Sequence, residues 1–420
     1  MAGAGIVGVS TAIWLQRFGY QVKLIDRSGP ASGTSYGNAG ILASGSIIPV
    51  TTPGLISKSP GMLMNPNKPL FLKYAYLPRL MPFLFKYLRY ANIEHVENYA
   101  TAMSKLLYDS VDQHKALARG TGAERYIENN DYLFGYDTEE AFEKDRFAWD
   151  LRRKHQHDFD ILKGDALHNV DPIYDGSFKV IVVNRNHGKI NDPGEYIKKL
   201  AEHFVDKKGE IIQANIKGFQ QKDAAIIGLE TDRGVHRADH VIFTLGPWSG
   251  DLSKRLGLNI PFESERGYHI ELINPSRMPR NPIMVSSGKF VVTPMDGRIR
   301  LAGVVEFGGL KAKASKAPIE LLKKNAKKLF ADIKYDNITE WLGHRPTTAS
   351  SLPLIGRVNK FKNVLVGFGH QHVGLTGGAK TGRIIAELLD EREPNIQLSW
   401  FDPNGYVQCV CNKTNNGRNQ

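Results

Sequence analysis

The sequence opens with MAGAGIVGVS (residues 1–10), in which GAGIVG (3–8) has the glycine spacing G-x-G-x-x-G. In such a turn the first glycine permits a tight bend, the second lets the backbone approach a diphosphate, and the third lets a helix pack closely on a strand. Apolar residues then recur at helical spacing as far as Gly19, and a short apolar strand within YQVKLIDR (20–27) ends on Asp26. This order of turn, helix, strand and acid predicts the second half of a mononucleotide-binding βαβ unit.

Asp26 and the loop after it indicate which dinucleotide the turn holds. Asp26 lies 18 positions beyond Gly8, where its carboxylate can accept hydrogen bonds from the adenosine ribose hydroxyls of NAD or FAD. The next stretch, GPASGTSYGNAGIL (29–42), is too short and polar for a helix, and as a loop it offers polar groups to phosphates and close approach to a flat ring. Its contacting residues are Thr34, Ser35, Asn38, Ala39 and Gly40. The loop favours FAD, with an ordinary surface loop as the alternative.

Two later stretches repeat the pattern of an apolar strand followed by small residues, HVIFTLGPWSG (240–250) and NVLVGFGHQHVGLTGG (363–378). With the opening unit they predict neighbouring parallel strands of one sheet. Between them β-rich runs flank Asp296-Gly297, a dipeptide suited to a hairpin turn because both residues tolerate positive φ, and GYHIEL (267–272) lies upstream. These runs predict an antiparallel sheet.

We therefore predict an α/β fold, with a Rossmann-like FAD-binding domain built on a parallel sheet and an interleaved α+β substrate domain built on an antiparallel sheet. The FAD-binding domain is assigned residues 1–43, 186–258 and 341–404, the substrate domain residues 44–185 and 259–340, and a tail that we expect to be disordered residues 405–420.

Composition and charge exclude several classes of protein. Hydrophobic residues make up 41% and charged residues 23% of the 420 residues, which is ordinary for a globular chain. The cysteines, Cys409 and Cys411, both lie in the tail, which excludes a disulfide framework or a cysteine nucleophile in the body of the fold. No signal peptide or long apolar run occurs, so we expect a cytoplasmic protein. The net charge of +12 attracts anions, but no nucleic-acid-binding signature accompanies it, and no nucleic-acid partner is predicted.

A basic aromatic segment, KPLFLKYAYLPRLMPFLFKYLRYAN (68–92), has two interpretations. Apolar rings interspersed with Lys and Arg suit contact with an anionic membrane surface. Pro78 and Pro82 are expected to break any long amphipathic helix, which favours packing as part of the core or of a lid. Membrane contact remains the alternative.

Six stretches occur in an order and at separations that match one family. They are GAGIVG (3–8), TSYGNAG (34–40), LGPWSG (245–250), RGYHIEL (266–272), WLGHRPTTASSLPLIG (341–356) and GFGHQHVGLTGGAKTGRIIAELL (367–389). Together they resemble the D-amino-acid oxidase superfamily of FAD enzymes, in particular its bacterial D-amino-acid dehydrogenase branch. The resemblance runs from residue 1 to about Asn404.

The resemblance implies how a substrate is held. Arg345 resembles the family's carboxylate-binding arginine, whose planar guanidinium can hold a carboxylate through two parallel hydrogen bonds. Tyr268 resembles an active-site tyrosine, with core packing as its alternative. One of His370 and His372 is expected near the substrate or the flavin, and His370 is assigned, with Arg345 and Tyr268, to substrate positioning. The implied reaction is hydride transfer from Cα to the flavin, pushed by the amine lone pair, so no general base is assigned.

The resemblance also implies that FAD is bound non-covalently, because residues 36–38 lack the histidine that tethers the flavin in some relatives. Backbone N–H groups of residues 373–376 are expected to face the flavin pyrimidine carbonyls and to stabilise negative charge there. The predicted cofactor-binding residues are Gly3, Gly5, Ile6, Val7, Gly8, Asp26, Arg27, Thr34, Ser35, Asn38, Ala39, Gly40, Ile41, Gly246, Trp248, Val373, Gly374, Leu375 and Thr376. No metal site is predicted, because no Asp, Glu or Cys accompanies His370 and His372 at ligand spacing.

The implied activity is oxidative deamination of an amino acid, with a D-amino acid favoured, to a 2-oxo acid and ammonia. Electrons are expected to pass to a quinone, which implies a peripheral place on the inner face of a membrane, and oxygen is the alternative acceptor. A second hypothesis is an oxidoreductase for a secondary amine such as proline, hydroxyproline or a sarcosine-like substrate. A third, from another class, is a flavin-free remnant or binding protein. No oligomeric state is assigned.

The two ends of the chain depart from the family. Relatives carry a run of apolar residues before the glycine turn, as a central strand, whereas only Met1 and Ala2 precede the turn here. A missing strand leaves buried backbone groups without partners at roughly 1–3 kcal/mol each, so we expect either a compromised sheet or a truncated chain. The last stretch, GYVQCVCNKTNNGRNQ (405–420), resembles nothing in the family.

Overall fold

The structure is a computed structural model that describes residues 1–54 and 69–405. Lys68 and residues 406–420, which include both cysteines, lie outside the described residues. The α-helices are α1 (Ile6–Arg17), α2 (Leu77–Leu88), α3 (Ile93–Leu107), α4 (Ser110–Ala118), α5 (Glu139–Lys144), α6 (Arg146–Lys154), α7 (Pro193–Asp206), α8 (Ser249–Arg255), α9 (Lys316–Leu329) and α10 (Gly374–Leu389). The strands are β1 (Lys23–Asp26), β2 (Ile41–Leu42), β3 (Leu70–Leu72), β4 (Ile127–Tyr136), β5 (Phe159–Lys163), β6 (Val180–Ile190), β7 (Glu210–Gln213), β8 (Ile216–Lys222), β9 (Ala225–Thr231), β10 (Gly234–Arg237), β11 (Val241–Phe243), β12 (Phe262–Ile273), β13 (Ile283–Val285), β14 (Phe290–Met295), β15 (Arg298–Phe307), β16 (Ile338–Thr348), β17 (Leu354–Arg357) and β18 (Val364–Phe368). The architecture is α/β, as predicted.

One sheet joins the three pieces of chain that the sequence predicted to be neighbours. β1 pairs with β7 and β11 with β18, both in parallel, and β17 adds an antiparallel edge to β18. A separate three-stranded meander, β8 to β10, precedes β11. The parallel pairs confirm that the opening unit and the two later strands share a sheet.

The residues before the glycine turn occupy the centre of this sheet. Gly3 donates to the Ile25 carbonyl at 2.8 Å, while on the other side Ala2 donates to the Ile242 carbonyl and accepts from the Thr244 N–H, both at 2.8 Å. Ala2 thereby forms a parallel bridge to each neighbour. The backbone of these few residues links β1 to β11, so the gap expected from the short lead-in is closed.

The second sheet is large and mainly antiparallel, in the order β16-β12-β15-β14-β13-β4-β6-β2. The predicted hairpin is confirmed: β14 and β15 pair directly up to Met295 and Arg298, with Asp296 and Gly297 as the turn. Gly297 alone adopts positive φ, at +66°, whereas the sequence analysis invoked positive φ at both turn residues. α9 packs its apolar stripe on one face of this sheet, which closes a second hydrophobic core.

α1 and α10 lie against each other across the first sheet because small residues line their contact. A Cβ added at Gly382 would lie 2.3 Å from Ser10 Oγ, and one added at Gly378 would lie 2.8 Å from Ile6 side-chain carbons. Ser10 Oγ also donates to the Ala379 carbonyl at 3.0 Å. This close approach brings the N-terminal ends of both helices to the same edge of the sheet.

Two of the predicted domain boundaries fall inside strands. The boundary at 185/186 interrupts β6, and the one at 340/341 interrupts β16. Both strands continue their ladders across those positions, because backbone pairing does not stop where the composition changes. With the boundaries moved to strand ends, we propose the same division into an FAD-binding and a substrate domain.

The helix α2 contradicts the expectation that Pro78 and Pro82 would break a helix in the basic aromatic segment. It runs through both prolines. Pro78 sits in the first turn, where a backbone N–H has no partner within the helix, and only Pro82 removes a hydrogen bond. Burial of Leu80, Phe83 and Tyr87 on the inner face offsets that loss.

Candidate active site

A cavity of about 390 Å³ opens at the edge of the first sheet where the three pieces of chain meet. The predicted cofactor-binding residues that line it are Gly3, Gly5, Ile6, Val7, Asp26, Arg27, Thr34, Ser35, Asn38, Gly246, Trp248, Gly374 and Leu375. Those that do not line it are Gly8, Ala39, Gly40, Ile41, Val373 and Thr376.

The glycine turn forms one wall of this cavity through close backbone contacts. Gly3 has φ +100°, and a Cβ there would lie 2.4 Å from the Thr244 carbonyl oxygen. A Cβ on Gly8 would lie 1.9 Å from the Gly3 carbonyl oxygen. Gly8 does not line the cavity itself, but its lack of a side chain lets α1 pack against the turn that does. The first and third glycines therefore allow the strand, turn and helix to pack, as the spacing predicted.

Two helix N-termini meet at the cavity, at Ile6 of α1 and Gly374 of α10. Neither helix has an acidic residue in its first turn. Ser35 Oγ accepts a hydrogen bond from the Ile6 N–H at 3.1 Å. The two positive ends of the helix dipoles make this edge of the sheet suitable for an anion such as a diphosphate.

Asp26 is held at the end of β1 by backbone donors on both of its carboxylate oxygens. Oδ2 accepts from the Ala4 N–H at 2.9 Å, and Oδ1 accepts from the Ser28 and Gly29 N–H groups at 2.9 and 3.1 Å. The carboxylate therefore ties the glycine turn to the following loop. Its remaining lone pairs stay available to ribose hydroxyls.

Arg27 and Trp248 form the opposite wall. The Arg27 guanidinium lies 3.8 Å from the centre of the Trp248 ring, a cation–π contact that holds both side chains in place. Together, the glycine cradle, the two helix N-termini, the acid at the strand end and this flat wall fit the adenosine and diphosphate of FAD.

The loop predicted to contact the flavin is anchored by α10 and by the large sheet. Thr376 Oγ1 donates to the Ile41 carbonyl at 3.1 Å, which fixes the loop to α10. From the large sheet, Arg300 Nη1 donates to the Tyr36 carbonyl at 3.1 Å and to the Asn38 carbonyl. The sequence analysis missed Arg300, whose signal is a buried arginine within the apolar strand RIRLAGVVEF (298–307).

His269 adds a further anchor to the same loop. Its Nδ1 lies 3.2 Å from the Gly37 carbonyl oxygen, which assigns the proton to Nδ1, and its ring stacks on Trp341 at 4.9 Å between centres. Burial and the neighbouring Arg300 lower the pKa of His269 to about 3. A neutral imidazole thus packs beneath the predicted flavin loop.

Arg345 projects from β16. It is the cross-strand partner of Glu265, and its guanidinium lies over Gly267, where a Cβ would lie 2.6 Å from Cζ. Burial lowers the pKa of Arg345, and the negative charge of Glu265 opposes that shift. Within residues 1–54 and 69–405 the guanidinium has no hydrogen bond or salt bridge. The adjacent Pro346 lines the cavity, whereas Arg345 itself does not.

His372, rather than His370, is the histidine beside Arg345. Its side chain is exposed, yet surrounding protein groups and the Arg345 charge lower its pKa to about 4. His370 lines the cavity, but its Nε2 lies 2.9 Å from Thr381 Oγ1 in the interior, so we propose His372 rather than His370 as the histidine near the substrate.

The structure does not bring Tyr268 into this cluster. Side chains alternate along β12, so the Tyr268 side chain projects from one face of the sheet, while Glu265 and Gly267 lie on the other. Tyr268 packs in the core under α9. Its hydroxyl donates to Glu306 Oε2 at 2.7 Å and accepts from the Ser315 N–H at 3.0 Å. The predicted catalytic role of Tyr268 is therefore corrected to core packing, the alternative that the sequence analysis kept open.

No three His, Cys, Asp or Glu residues of the described ranges cluster as metal ligands.

The sequence of this chain is similar to those of known FAD-dependent enzymes. The sequence model of the DAO family, described as FAD-dependent oxidoreductase, matches residues 2–388. A D-amino-acid oxidase from Bradyrhizobium diazoefficiens is 36% identical over 412 residues, which are 96% of this chain and 98% of that protein. A D-amino acid dehydrogenase from Rhizobium rhizogenes is 28% identical over 408 residues, 94% of this chain and 97% of that protein.

Solved structures share the fold across nearly the whole chain. L-proline dehydrogenase from P. horikoshii has a TM-score of 0.75 at 17% identity and covers 97% of each chain. Glycine oxidase from Bacillus cereus has a TM-score of 0.73 at 18% identity and covers 94% of this chain and 95% of that one. At these identities the likeness establishes the fold alone.

Proposed function

The chain belongs to the DAO family of FAD-dependent oxidoreductases, and from that membership we propose that it oxidises an amino acid at Cα, with a D-amino acid as the favoured substrate. FAD is its cofactor. In this proposal it is held without a covalent tether, and when bound it accepts the hydride from Cα. Water then hydrolyses the imine to a 2-oxo acid and ammonia. The observation that carries the proposal is the Arg345 guanidinium, which lies one residue from the cavity-lining Pro346 and has no hydrogen bond or salt bridge to any residue that the structure describes.

Arg345 binds and orients the substrate in this proposal. Its two parallel N–H donors match the two oxygens of a carboxylate, and Gly267 leaves the space that lets the guanidinium lie flat on β12. Fixing the carboxylate at one end restricts where Cα and its hydrogen can point, which supplies the positioning that hydride transfer requires.

His372 contributes a neutral polar group beside the substrate. With a pKa of about 4 it is uncharged at neutral pH, so it adds no positive charge beside the amine whose lone pair must push the hydride out. One ring nitrogen can accept a hydrogen bond from that amine. No carboxylate is needed to remove the Cα proton, since the hydrogen leaves as hydride.

A panel of primary and secondary amino acids tests the substrate class. With an artificial electron acceptor, D-amino acids with primary amines should be turned over and should release one ammonia for each 2-oxo acid. Proline, hydroxyproline and sarcosine should be poor substrates. Turnover confined to the secondary amines, without ammonia, would replace this proposal with the second hypothesis.

For electron transfer we propose a quinone acceptor reached at a membrane surface. Within the described residues, every helix is too short or too polar to cross a bilayer. α2 nevertheless presents Pro82, Phe85, Lys86 and Arg89 at helical spacing on its outer face, and the Phe85 side chain is 65% exposed. An exposed ring among cations suits the headgroup region of an anionic membrane. The relative named a D-amino acid dehydrogenase favours an acceptor other than oxygen, and the relative named a D-amino-acid oxidase favours oxygen.

Reoxidation of the reduced enzyme separates the two acceptors. We expect quinone embedded in anionic vesicles to reoxidise it faster than air does. The double variant Phe85→Ser/Lys86→Glu should lose about tenfold with vesicles, through loss of apolar burial and of charge attraction, and nothing with a soluble quinone. Phe147→Ser/Lys144→Glu, at an exposed pair on and beside α6, is the matched control. Faster reoxidation by air would rule out the quinone proposal.

A further inference from the structure

Glu265 is a buried carboxylate on the same face of the large sheet as Arg345. The two residues are cross-strand partners between β12 and β16, so their side chains leave the sheet side by side. Glu265 is 4% exposed. Burial raises the pKa of Glu265, and the positive charge of Arg345 opposes that shift. The two groups form no salt bridge. Among the described residues the N–H donors of Arg345 therefore have no acceptor, although its charge interacts with that of Glu265 through space.

A strained residue holds Glu265 in position. Gln371 Nε2 donates to Glu265 Oε1 at 2.9 Å and lies 3.4 Å from the Tyr87 hydroxyl of α2. Gln371 has φ +49°, a left-handed conformation that is costly for a residue with a side chain. Its side-chain Oε1 is buried without a hydrogen-bond partner. The strained backbone of Gln371 thus places its side-chain amide against the Glu265 carboxylate.

Few groups around this pair change charge near neutral pH. Burial raises the pKa of Tyr87, and that of Tyr76 to about 12, so both stay neutral. Glu263, two residues before Glu265, accepts hydrogen bonds from the Tyr76 hydroxyl at 3.1 Å. Burial raises the pKa of Glu263, and the charge of Glu265 raises it further. His372 faces Arg345 from the other side.

A substrate carboxylate on Arg345 creates a conflict of charge. Two carboxylates then share one guanidinium, and like charges in a desolvated site relieve their repulsion when one of them takes up a proton. The substrate carboxylate is held by two hydrogen bonds from the cation, which favour its ionised form. Glu265 is buried and interacts with the guanidinium only through space, without a hydrogen bond to it. Of the two carboxylates, Glu265 is therefore the one that takes up the proton.

We propose that Glu265 is a positioning residue that acts through Arg345: it is the counter-charge of the guanidinium before substrate arrives, and it takes up one proton from solvent when a carboxylate occupies Arg345. The inference rests on the proposed function, because it assumes that Arg345 binds the carboxylate. It extends that function by making substrate binding depend on proton uptake at a residue that does not touch the substrate.

The direction of the pH dependence follows from this coupling. Because Glu265 holds its proton more tightly in the complex than in the free enzyme, carboxylate affinity is highest below its pKa in the free enzyme. Between that pKa and the higher pKa in the complex, affinity falls by about tenfold for each pH unit. Above both it is constant and weak. Replacement of Glu265 by Gln should fix the affinity at its strong limit at every pH.

Calorimetry of propionate binding to the FAD-loaded enzyme measures the proton directly. Propionate has a carboxylate but no amine to release a compensating proton and no electrons to donate. Titrations between about pH 5 and 9, in buffers of different ionisation enthalpy, give the number of protons taken up. We expect up to one proton for the wild type, none for Glu265→Gln, and the wild-type number for Glu263→Gln, the matched carboxyl-to-amide control on the same strand.

The outcomes separate this inference from the proposed function. If propionate binds to the wild type without proton uptake, or if His372→Gln abolishes the uptake while Glu265→Gln retains it, the role of Glu265 is refuted. If propionate does not bind at all, the carboxylate site at Arg345 is refuted instead. If Glu265→Gln does not fold, absence of uptake by the wild type still refutes the role, and uptake that persists in both His372→Gln and Glu263→Gln still supports it.

Discussion

Replacing Arg345 with alanine should lower kcat/KM for the amino acid by a factor of roughly 10² to 10⁴, while the enzyme keeps its FAD. Two charge-assisted hydrogen bonds contribute about 1.5–3 kcal/mol each, and each 1.4 kcal/mol corresponds to about a factor of ten. FAD is retained because Arg345 does not line the 390 Å³ cavity. Steady-state kinetics and the ratio of FAD to protein measure the two effects.

Three variants make the Arg345 result specific. Arg345→Lys keeps the charge without the planar fork and should fall between wild type and alanine. Gly267→Ala keeps the arginine but would put a methyl group 2.6 Å from its Cζ, so the guanidinium must shift, and KM should rise while FAD binding is unchanged. Arg233→Ala removes an exposed arginine between β9 and β10 and should change nothing. Wild-type turnover by Arg345→Ala would remove the carboxylate assignment.

Replacing Gly8 with alanine should weaken FAD binding by about a hundredfold or more. The added methyl would lie 1.9 Å from the Gly3 carbonyl oxygen and 2.8 Å from Thr244 Oγ1, so α1 must move away from the turn. Overpacking of this kind costs about 1–3 kcal/mol or more, and here the displaced element carries the N-terminal N–H groups that face the cavity. Recovery of FAD fluorescence on dilution measures the dissociation constant.

Gly19→Ala is the matched control for this prediction. Gly19 ends the same helix with φ +93° and has nothing within 4 Å of an added Cβ. The substitution should cost about 1–2 kcal/mol of stability through backbone strain alone and leave FAD affinity unchanged. Equal loss of FAD in both variants would mean that helix stability, rather than the geometry of the cofactor wall, controls binding.

The sequence predicted the cofactor end of the site well because its signals are local. The glycine spacing, the helix that follows and Asp26 at the strand end depend on residues close together in the chain, and the structure gathers them around one cavity. The short lead-in was misjudged for a related reason. At the centre of the first sheet, the backbone of Ala2 and Gly3 pairs with the strands on either side, and a backbone hydrogen bond does not depend on an apolar side chain.

The substrate end was harder to predict because both faces of β12 are buried. In a strand with one solvated face, polar and apolar residues alternate, and this alternation shows which side chains share a face. β12 is buried almost throughout, and its sequence FESERGYHIELI shows no clear alternation of polar and apolar residues. Tyr268 was therefore assigned to the active site, and Glu265 was not noticed. The choice between His370 and His372 depended on the positive φ of Gln371, which no local residue preference indicates.

The most direct test is anaerobic mixing of the purified enzyme with a D-amino acid while the visible absorbance of FAD is recorded. We predict a yellow protein whose absorbance is bleached by D-amino acids, with one 2-oxo acid formed for each FAD reduced. A colourless protein that takes up no added FAD, or a yellow protein that no amino acid bleaches, would contradict the account of a carboxylate held on Arg345 beside the flavin.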